Sequence, residues 1–191
     1  MKSHVRPALV LFMLLTLITG VAYPLLITGI GQALFPAQAS GGVIEREGKP
    51  VGATLIGQGF SAPKYFWSRP SATSPMPNNG NASSGSNLGP TNPALVDAVQ
   101  SRIDALKKAD PANNQPIPVD LVTASASGLD PHISIAAARY QSGRIASTRN
   151  VSIEQINALI EQTQETAVLG FIGGPRVNVL VLNLALDAVK R

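Results

Sequence analysis

The chain has 191 residues and a net charge of +4, and only 14% of its residues are charged, against about 25% in typical soluble domains. Its 17 glycines and 15 prolines exclude a long coiled coil, because both residues break helices. The absence of cysteine excludes disulfides, thiolate metal sites and cysteine nucleophiles, and the small, scattered charge excess does not indicate a nucleic-acid partner.

The first element in chain order is an apolar segment from Leu9 to Ile30 that carries no charge. As a helix it would rise about 33 Å, enough to cross a hydrocarbon core of about 30 Å. Leu15 lies near its centre, and Gly20 and Pro24 are of residue types that are more frequent in membrane helices than in soluble ones. The segment 9–30 therefore predicts a transmembrane anchor.

Basic residues precede this segment and set its expected orientation. Lys2 and Arg6 predict a cytoplasmic N-terminus at 1–8, a linker at 31–39 and an extracytoplasmic domain at 40–191. A cleaved signal peptide is the main alternative, since Ala-Gln-Ala at 37–39 fits a cleavage site, although the apolar run exceeds the 7–15 residues usual in a signal. A buried core helix is the other alternative.

Residues 40–191 are expected to form one α/β (α+β) domain with short strands and about three helices. A β-hairpin opens it, with strands at 43–44 and 51–56 around a turn at 47–50. Thr91 and Asn92, followed by Pro93, then supply a cap and a first-turn proline for the first of these helices.

Further local signals predict the rest of this domain. The segment 118–123 is typical of a short strand, and Asp130 with Pro131 predicts the start of a second helix. Ser152, followed three residues later by glutamine, forms a capping box for a third helix. Residues 177–186 alternate in the way that predicts a strand.

The segment 70–96 carries no charge and is rich in Asn, Ser, Gly and Pro. Its composition favours a flexible surface linker. The alternative is a long ordered loop, whose amides and hydroxyls would hydrogen-bond a partner where charges would be costly to desolvate. The sequence leaves both open.

Three of the nine aromatic residues, Tyr65, Phe66 and Trp67, stand side by side just before this segment, together with Arg69. Such a cluster suits either a small satellite core or an interface anchor. From the residues alone, core packing is the favoured use.

No convincing catalytic group of residues stands out. His132 and Asp130 could join a serine in a hydrolytic triad, but no Gly-x-Ser-x-Gly elbow exists and Asp130 is already interpreted as a cap. No ligand spacing of the His-x-x-x-His kind surrounds His132, and no phosphate loop of the GxxxxGK[ST] type occurs. We therefore expect no catalytic residue, no metal site and no bound cofactor, as in a binding or assembly component.

Five long motifs follow the apolar segment in order: YFWSRPSAT at 65–73, SGSNLGPTNP at 84–93, DLVTASASGLDPHIS at 120–134, AAARYQSGRIASTR at 136–149 and VNVLVLNLALD at 177–187. Together they closely resemble the KdpC subunit family of the bacterial Kdp potassium-transporting P-type ATPase. The resemblance covers nearly the whole chain.

The resemblance implies a non-catalytic accessory subunit, held in the bacterial inner membrane by one helix with its domain outside. It implies three partners: a channel-like potassium-translocating subunit, a P-type ATPase catalytic subunit and a small membrane peptide. ATP, Mg²⁺ and K⁺ would be used through these partners. The role it implies is assembly and stabilisation of the complex, with modulation of ion entry or of ATP affinity as a further option.

We expect part of the surface that docks on the partners to lie around the aromatic cluster and the uncharged segment, with these candidates: Tyr65, Phe66, Trp67, Arg69, Asn87 and Asn92. The leading alternative is a membrane-anchored domain that works alone in solute binding or sensing. A membrane-anchored hydrolase is the third possibility.

Overall fold

The computed structural model describes residues 2–167 and 169–189, and the chain divides into two compact units at the boundary between Val51 and Gly52. The first unit begins with helix α1 (Lys2–Leu17), a π-helical turn (Ile18–Ala22) and helix α2 (Tyr23–Leu34). From His4 to Leu34 this is a single run of helix, long and apolar enough to cross a membrane and not covered by other parts of the chain. It contains the predicted 9–30 segment.

The π-helical turn lies directly before Pro24 and has a local cause. Proline has no N–H, so the Gly20 carbonyl loses the donor that an α-helix would give it at this position. The helical turn takes in one extra residue, and the Tyr23 N–H donates to the carbonyl of Ile18, five residues back. The irregularity thus follows from a proline that the sequence shows openly.

A short helix, α3 (Pro36–Ala39), and a β-hairpin follow. The hairpin pairs β1 (Val43–Arg46) with β2 (Lys49–Ala53). Its two turn residues, Glu47 and Gly48, have φ of 55° and 72°, as a type I′ turn requires. The predicted hairpin is confirmed, with a turn of two residues in place of the expected four.

The second unit is an α+β domain, so the predicted fold class is confirmed. Its helices are α4 (Pro93–Ala109), α5 (Ile135–Arg149), α6 (Ile153–Thr163) and α7 (Val179–Ala188). Residues 52–167 and 169–189 thus hold four α-helices, one more than expected, and a 3₁₀ turn.

Three short strands form one antiparallel sheet in the order β3-β5-β4. They are β3 (His132–Ser134), β4 (Gln164–Glu165) and β5 (Arg176–Asn178). The core of the unit packs around this sheet. Its largest fully buried apolar side chains come from the sheet, from α5 to α7 and from the aromatic segment at 65–67: Phe66, Ile133, Ile145, Ile156, Ile160, Leu182 and Leu186.

Two capping predictions are confirmed. Asn92 accepts a hydrogen bond from the Ala94 N–H at the start of α4. Ser152 and Gln155 form the reciprocal capping box that begins α6. Both signals depend on neighbouring residues only, which is why they could be recognised in the sequence.

Two predictions about the segment before α5 were wrong. Residues 119–121 form a 3₁₀ turn in place of the strand expected at 118–123. Asp130 does not cap a helix: it accepts the His132 N–H ahead of β3. Ser134 is the cap of α5 instead, and Asp120 accepts from both the N–H and the hydroxyl of Ser134.

The strand expected at 177–186 is mostly helix. Only the first residues pair in β5, after which Asn178 caps α7 by accepting the Val181 N–H. Apolar residues lie on most sides of α7, and Leu180, Leu182 and Leu186 are all buried. A helix buried on several sides has no polar stripe, so its pattern was not distinguishable from that of a buried strand.

Candidate docking surface

The aromatic segment is held to two helices through its backbone. Asn183 of α7 accepts the Phe66 N–H at 2.9 Å and donates to the Phe66 carbonyl at 3.0 Å. Gln141 of α5 does the same for Trp67, at 2.8 and 3.1 Å. Both amide side chains are almost completely buried, so they satisfy backbone groups of an extended segment that has no strand beside it.

Arg144, also on α5, supports the same segment. Its guanidinium donates to the carbonyls of Pro63 and Tyr65 and lies over the Trp67 ring, 4.7 Å from the centroid. Burial lowers the pKa of Arg144 to about 10, which still leaves the side chain charged at neutral pH. The Arg144 guanidinium thus holds the Trp67 ring in position, while the Trp67 side chain remains partly exposed.

Tyr65 is fixed through its hydroxyl, which donates to Asp187 at 3.0 Å. Arg149 lies over the Tyr65 ring, 5.0 Å from the centroid, and pairs with Asp187 at 2.7 Å. Burial is the largest of three causes that raise the pKa of Tyr65; the hydrogen bond to Asp187 and the charge of Asp187 are the other two. The group keeps Tyr65 neutral and in place at the edge of the domain.

Arg69 begins a series of neighbouring polar side chains that runs into the sheet. It pairs with Asp130 at 3.0 Å, and Asp130 lies 3.5 Å from the Nδ1 of His132. The Nε2 of His132 lies 3.3 Å from Glu165, which also pairs with Arg176 at 3.1 Å. His132 is therefore a partly buried side chain held by contacts to Asp130 and Glu165.

These side chains border an open cleft of about 710 Å³, lined by Arg69, Asp120, Asp130, His132 and Arg176, and by apolar residues that include Val119 and Pro175. Within residues 2–167 and 169–189, no three His, Asp or Glu side chains are grouped to hold a metal ion. The two carboxylates of the cleft are already engaged: Asp130 pairs with Arg69, and Asp120 accepts from Ser134.

The uncharged segment is an ordered loop over residues 70–91, and the linker expectation is corrected. Ser71 donates to the Gly128 carbonyl at 2.7 Å, and the Ser84 N–H donates to the Ser127 carbonyl at 3.0 Å. Asn79 is buried and donates to the Ser74 carbonyl at 2.9 Å. The loop is therefore fastened at several points to the segment that precedes β3.

The structure gives the predicted docking residues different environments. Phe66 is 0% exposed and belongs to the core, so its ring cannot reach a partner. Tyr65, Trp67 and Arg69 are partly exposed, and Asn87 and Asn92 are exposed on the loop and at the start of α4. Tyr65 lies with Asp187, whereas Arg69 lines the cleft, so the six residues do not form one cluster.

Sequence reasoning missed the buried amides Asn183 and Gln141. They lie 117 and 74 residues from the backbone groups that they bind. A polar residue inside an otherwise apolar stretch, such as asparagine in VLNLAL, was the available signal, because buried amides need partners.

Comparison with known proteins identifies the family. The family model described as KdpC, the c chain of the K⁺-transporting ATPase, matches residues 5–188. The chain belongs to the KdpC family. It is therefore a component of a potassium-transport complex, which agrees with the resemblance noted in its motifs.

Relatives of high identity extend over the full length. A KdpC subunit of a potassium-transporting ATPase from Polaromonas naphthalenivorans is 64% identical over 190 residues, covering 100% of this chain and 97% of that protein. Its counterpart from Janthinobacterium sp. (strain Marseille) is 62% identical, with 98% and 99% covered. The counterpart from Methylococcus capsulatus is 58% identical, with both proteins covered completely.

Proposed function

We propose that this KdpC-family chain is a non-catalytic accessory subunit that assembles and stabilises a potassium-transporting ATPase complex. The observation that carries the proposal is the family match over 5–188, joined to a helix from His4 to Leu34 that can cross a membrane. ATP hydrolysis and ion selection would belong to companion subunits, since the sequence has neither a DKTGT phosphorylation motif nor a TVGYG-like filter.

The proposed orientation has a cytoplasmic N-terminus and the unit that begins at Gly52 outside the cytoplasm. Lys2 and Arg6 support it, because positive charges next to a membrane helix favour the cytoplasmic side. The companions would be a channel-like potassium-translocating subunit, a P-type catalytic subunit and a small membrane peptide. The channel-like subunit is the proposed docking partner.

Attachment at two places makes a modest docking surface sufficient. A chain whose helix lies in the bilayer diffuses in two dimensions, which raises its effective concentration near companions in the same membrane. The docking surface then needs to supply only orientation and part of the affinity.

The proposed docking surface consists of Trp67, Arg69 and the ordered loop at 70–91. The loop suits this role because its exposed groups are amides, hydroxyls and apolar side chains, such as Met76 at 59% exposure. These groups cost less to desolvate than free charges would. Arg69 brings a charge that is already neutralised by Asp130, and Phe66 contributes only from the core.

Isolation of the complex tests the proposal. The full chain is produced with its companion subunits, extracted in mild detergent and purified by a tag on this chain. We expect companion subunits in stoichiometric amounts. Recovery of the chain alone from the intact membrane would contradict the accessory role.

A matched pair of variants tests the docking surface. Asn87→Asp and Asn114→Asp each add one negative charge at an exposed asparagine without changing its size. Asn87 has φ of 52°, which aspartate also tolerates. We expect the loop variant to weaken retention of the companions by about tenfold and the Asn114 variant to behave as wild type; equal retention would exclude the loop.

A further inference from the structure

One loop of the second unit exposes a cluster of large apolar side chains. In the loop at 169–175, Leu169 is 79% exposed, Phe171 77% and Ile172 52%. The other strongly exposed apolar residues of this unit, within 52–167 and 176–189, lie far from one another in the sequence: Leu55, Met76, Val96, Val119 and Ile153. Single exposed apolar residues are ordinary, whereas a contiguous group indicates a contact surface.

The C-terminal end of the loop leads into β5, which pairs with β4. β4 and β5 align Gln164 with Val177 and Glu165 with Arg176, and the last pair also forms an ion pair at 3.1 Å. Within the loop, Leu169 has φ of 55°, with glycines at 170 and 173 at 81° and 82°. A leucine in the left-handed region is uncommon, so the exposed side chains are presented by a defined backbone shape.

The loop borders the proposed docking surface. Gly174, Pro175 and Arg176, at its C-terminal end, line the same cleft as Arg69. Val119, 69% exposed, lines that cleft as well. Phe171 and Ile172 thus lie only two to four residues in the sequence from cleft-lining residues.

We propose that the 169–175 loop inserts Phe171 and Ile172 into an apolar pocket on the channel-like companion subunit, the partner proposed for the neighbouring cleft. The inference rests on the proposed accessory function and adds a second contact to it. The loop supplies the apolar core of the interface, while the 70–91 loop and the Arg69 cleft supply its polar part, as in interfaces with an apolar centre and a polar rim.

The size of the patch disfavours a second copy of this chain as the occupant. Three side chains of this exposure offer on the order of 400 Å², below the roughly 800 Å² per partner that a stable interface buries. Two such loops facing each other would therefore bury too little to hold a dimer. A companion that also contacts the cleft reaches a sufficient area.

The charge pattern disfavours lipid as the occupant. Segments that lie in a membrane interface are usually rich in Lys and Arg, which attract anionic headgroups. No basic residue lies between Glu165 and Arg176 in the sequence, and the Arg176 charge is already paired. A preset backbone shape also suits a protein pocket better than a fluid surface.

Photocrosslinking in the intact complex identifies the occupant. Benzoylphenylalanine replaces Phe171 in one preparation and Leu55, 66% exposed, in the control. We expect position 171 to crosslink to the channel-like companion subunit in membranes and position 55 to give at most background. Adducts of position 171 with lipid, with a second copy of this chain, or with nothing would each overturn the proposal.

A variant pair gives an independent readout. Phe171→Ser with Ile172→Ser removes exposed apolar surface, and Leu55→Ser removes comparable surface elsewhere; unchanged melting temperatures of the full chain in detergent confirm folding. We expect the double variant to dissociate from companions about tenfold faster or more and the control to match wild type. If the wild-type chain co-purifies with companions and the double variant dissociates from them as slowly as wild type, only this inference fails. If the wild-type chain co-purifies with no companion, the proposed function fails.

Discussion

The Asn183 side chain binds both backbone groups of Phe66, accepting its N–H at 2.9 Å and donating to its carbonyl at 3.0 Å. One amide thereby takes the place of a neighbouring strand. Phe66 and Asn183 are 0% and 2% exposed, so water cannot replace either bond. The position of the aromatic segment, and of Trp67 next to it, depends on this pair.

Asn183→Ala should lower the free energy of unfolding by about 2–5 kcal/mol, because it leaves a buried N–H and a buried carbonyl of Phe66 without partners. Thermal or chemical unfolding of the full chain in detergent measures the change. Asn114→Ala, at an exposed asparagine, should stay within about 0.5 kcal/mol of wild type. Equal stability of the two variants would show that the pair does not hold the segment.

The sequence predicted those features that depend on neighbouring residues. The caps at Asn92 and Ser152 and the hairpin turn at Glu47 were recognised because each motif is complete within a few positions. The buried helix α7 was not, because its alternating apolar residues fit a strand equally well.

In the candidate docking surface, too, the sequence predicted what depends on neighbouring residues and missed what depends on distant ones. The aromatic cluster and Arg69 were visible as a group, but their partners on α5, on α7 and just before β3 come from distant positions that only the fold brings together. The 70–91 loop was ambiguous because its composition suits a linker, whereas its order depends on bonds to residues 127 and 128.

Gly128→Ala should detach the 70–91 loop. Gly128 has φ of 67°, and an added Cβ would lie 2.5 Å from the Thr73 methyl and 2.6 Å from the Ser84 carbonyl oxygen. Strain and overlap together predict a loss of about 2–4 kcal/mol in the free energy of unfolding. Hydrogen exchange of the loop amides should rise at the same time.

Gly89→Ala is the matched control for that substitution. Nothing lies within 4 Å of the Cβ that it would add, and it lies in the same loop. Its exchange rates and stability should remain close to wild type. Similar behaviour of both variants would mean that contact with the segment before β3 does not order the loop.

The Tyr65 hydroxyl should titrate above the usual tyrosine range. Burial and the acceptor Asp187 both raise its pKa, and a group with a raised folded pKa stabilises the fold fully below its unfolded value near pH 10. That stability is lost as pH rises through the folded pKa. Ultraviolet absorbance of a Tyr23→Phe, Tyr140→Phe background isolates this titration, because the chain has 3 tyrosines.

Asp187→Asn in the same background should lower the pKa of Tyr65, since it removes the carboxylate that accepts the hydrogen bond of the Tyr65 hydroxyl and repels the phenolate. Glu161→Gln, in the exposed pair with Arg139, serves as the control and should leave the titration unchanged. Identical curves for the two variants would exclude Asp187 as a cause of the shift.

The membrane anchor gives the last prediction, because a charge at its centre must enter the hydrocarbon. Leu15→Arg should cost roughly 2.5–3.5 kcal/mol of insertion free energy and deplete both the membrane fraction and the assembled complex. Leu34→Arg, at the C-terminal end of the same helical run, is the matched control, because an arginine there can extend its charge to the headgroups. Quantitative immunoblots of membrane pellets compare the two. Equal recovery of both variants would argue against a helix that spans the bilayer at 9–30 and in favour of one that lies elsewhere or is removed.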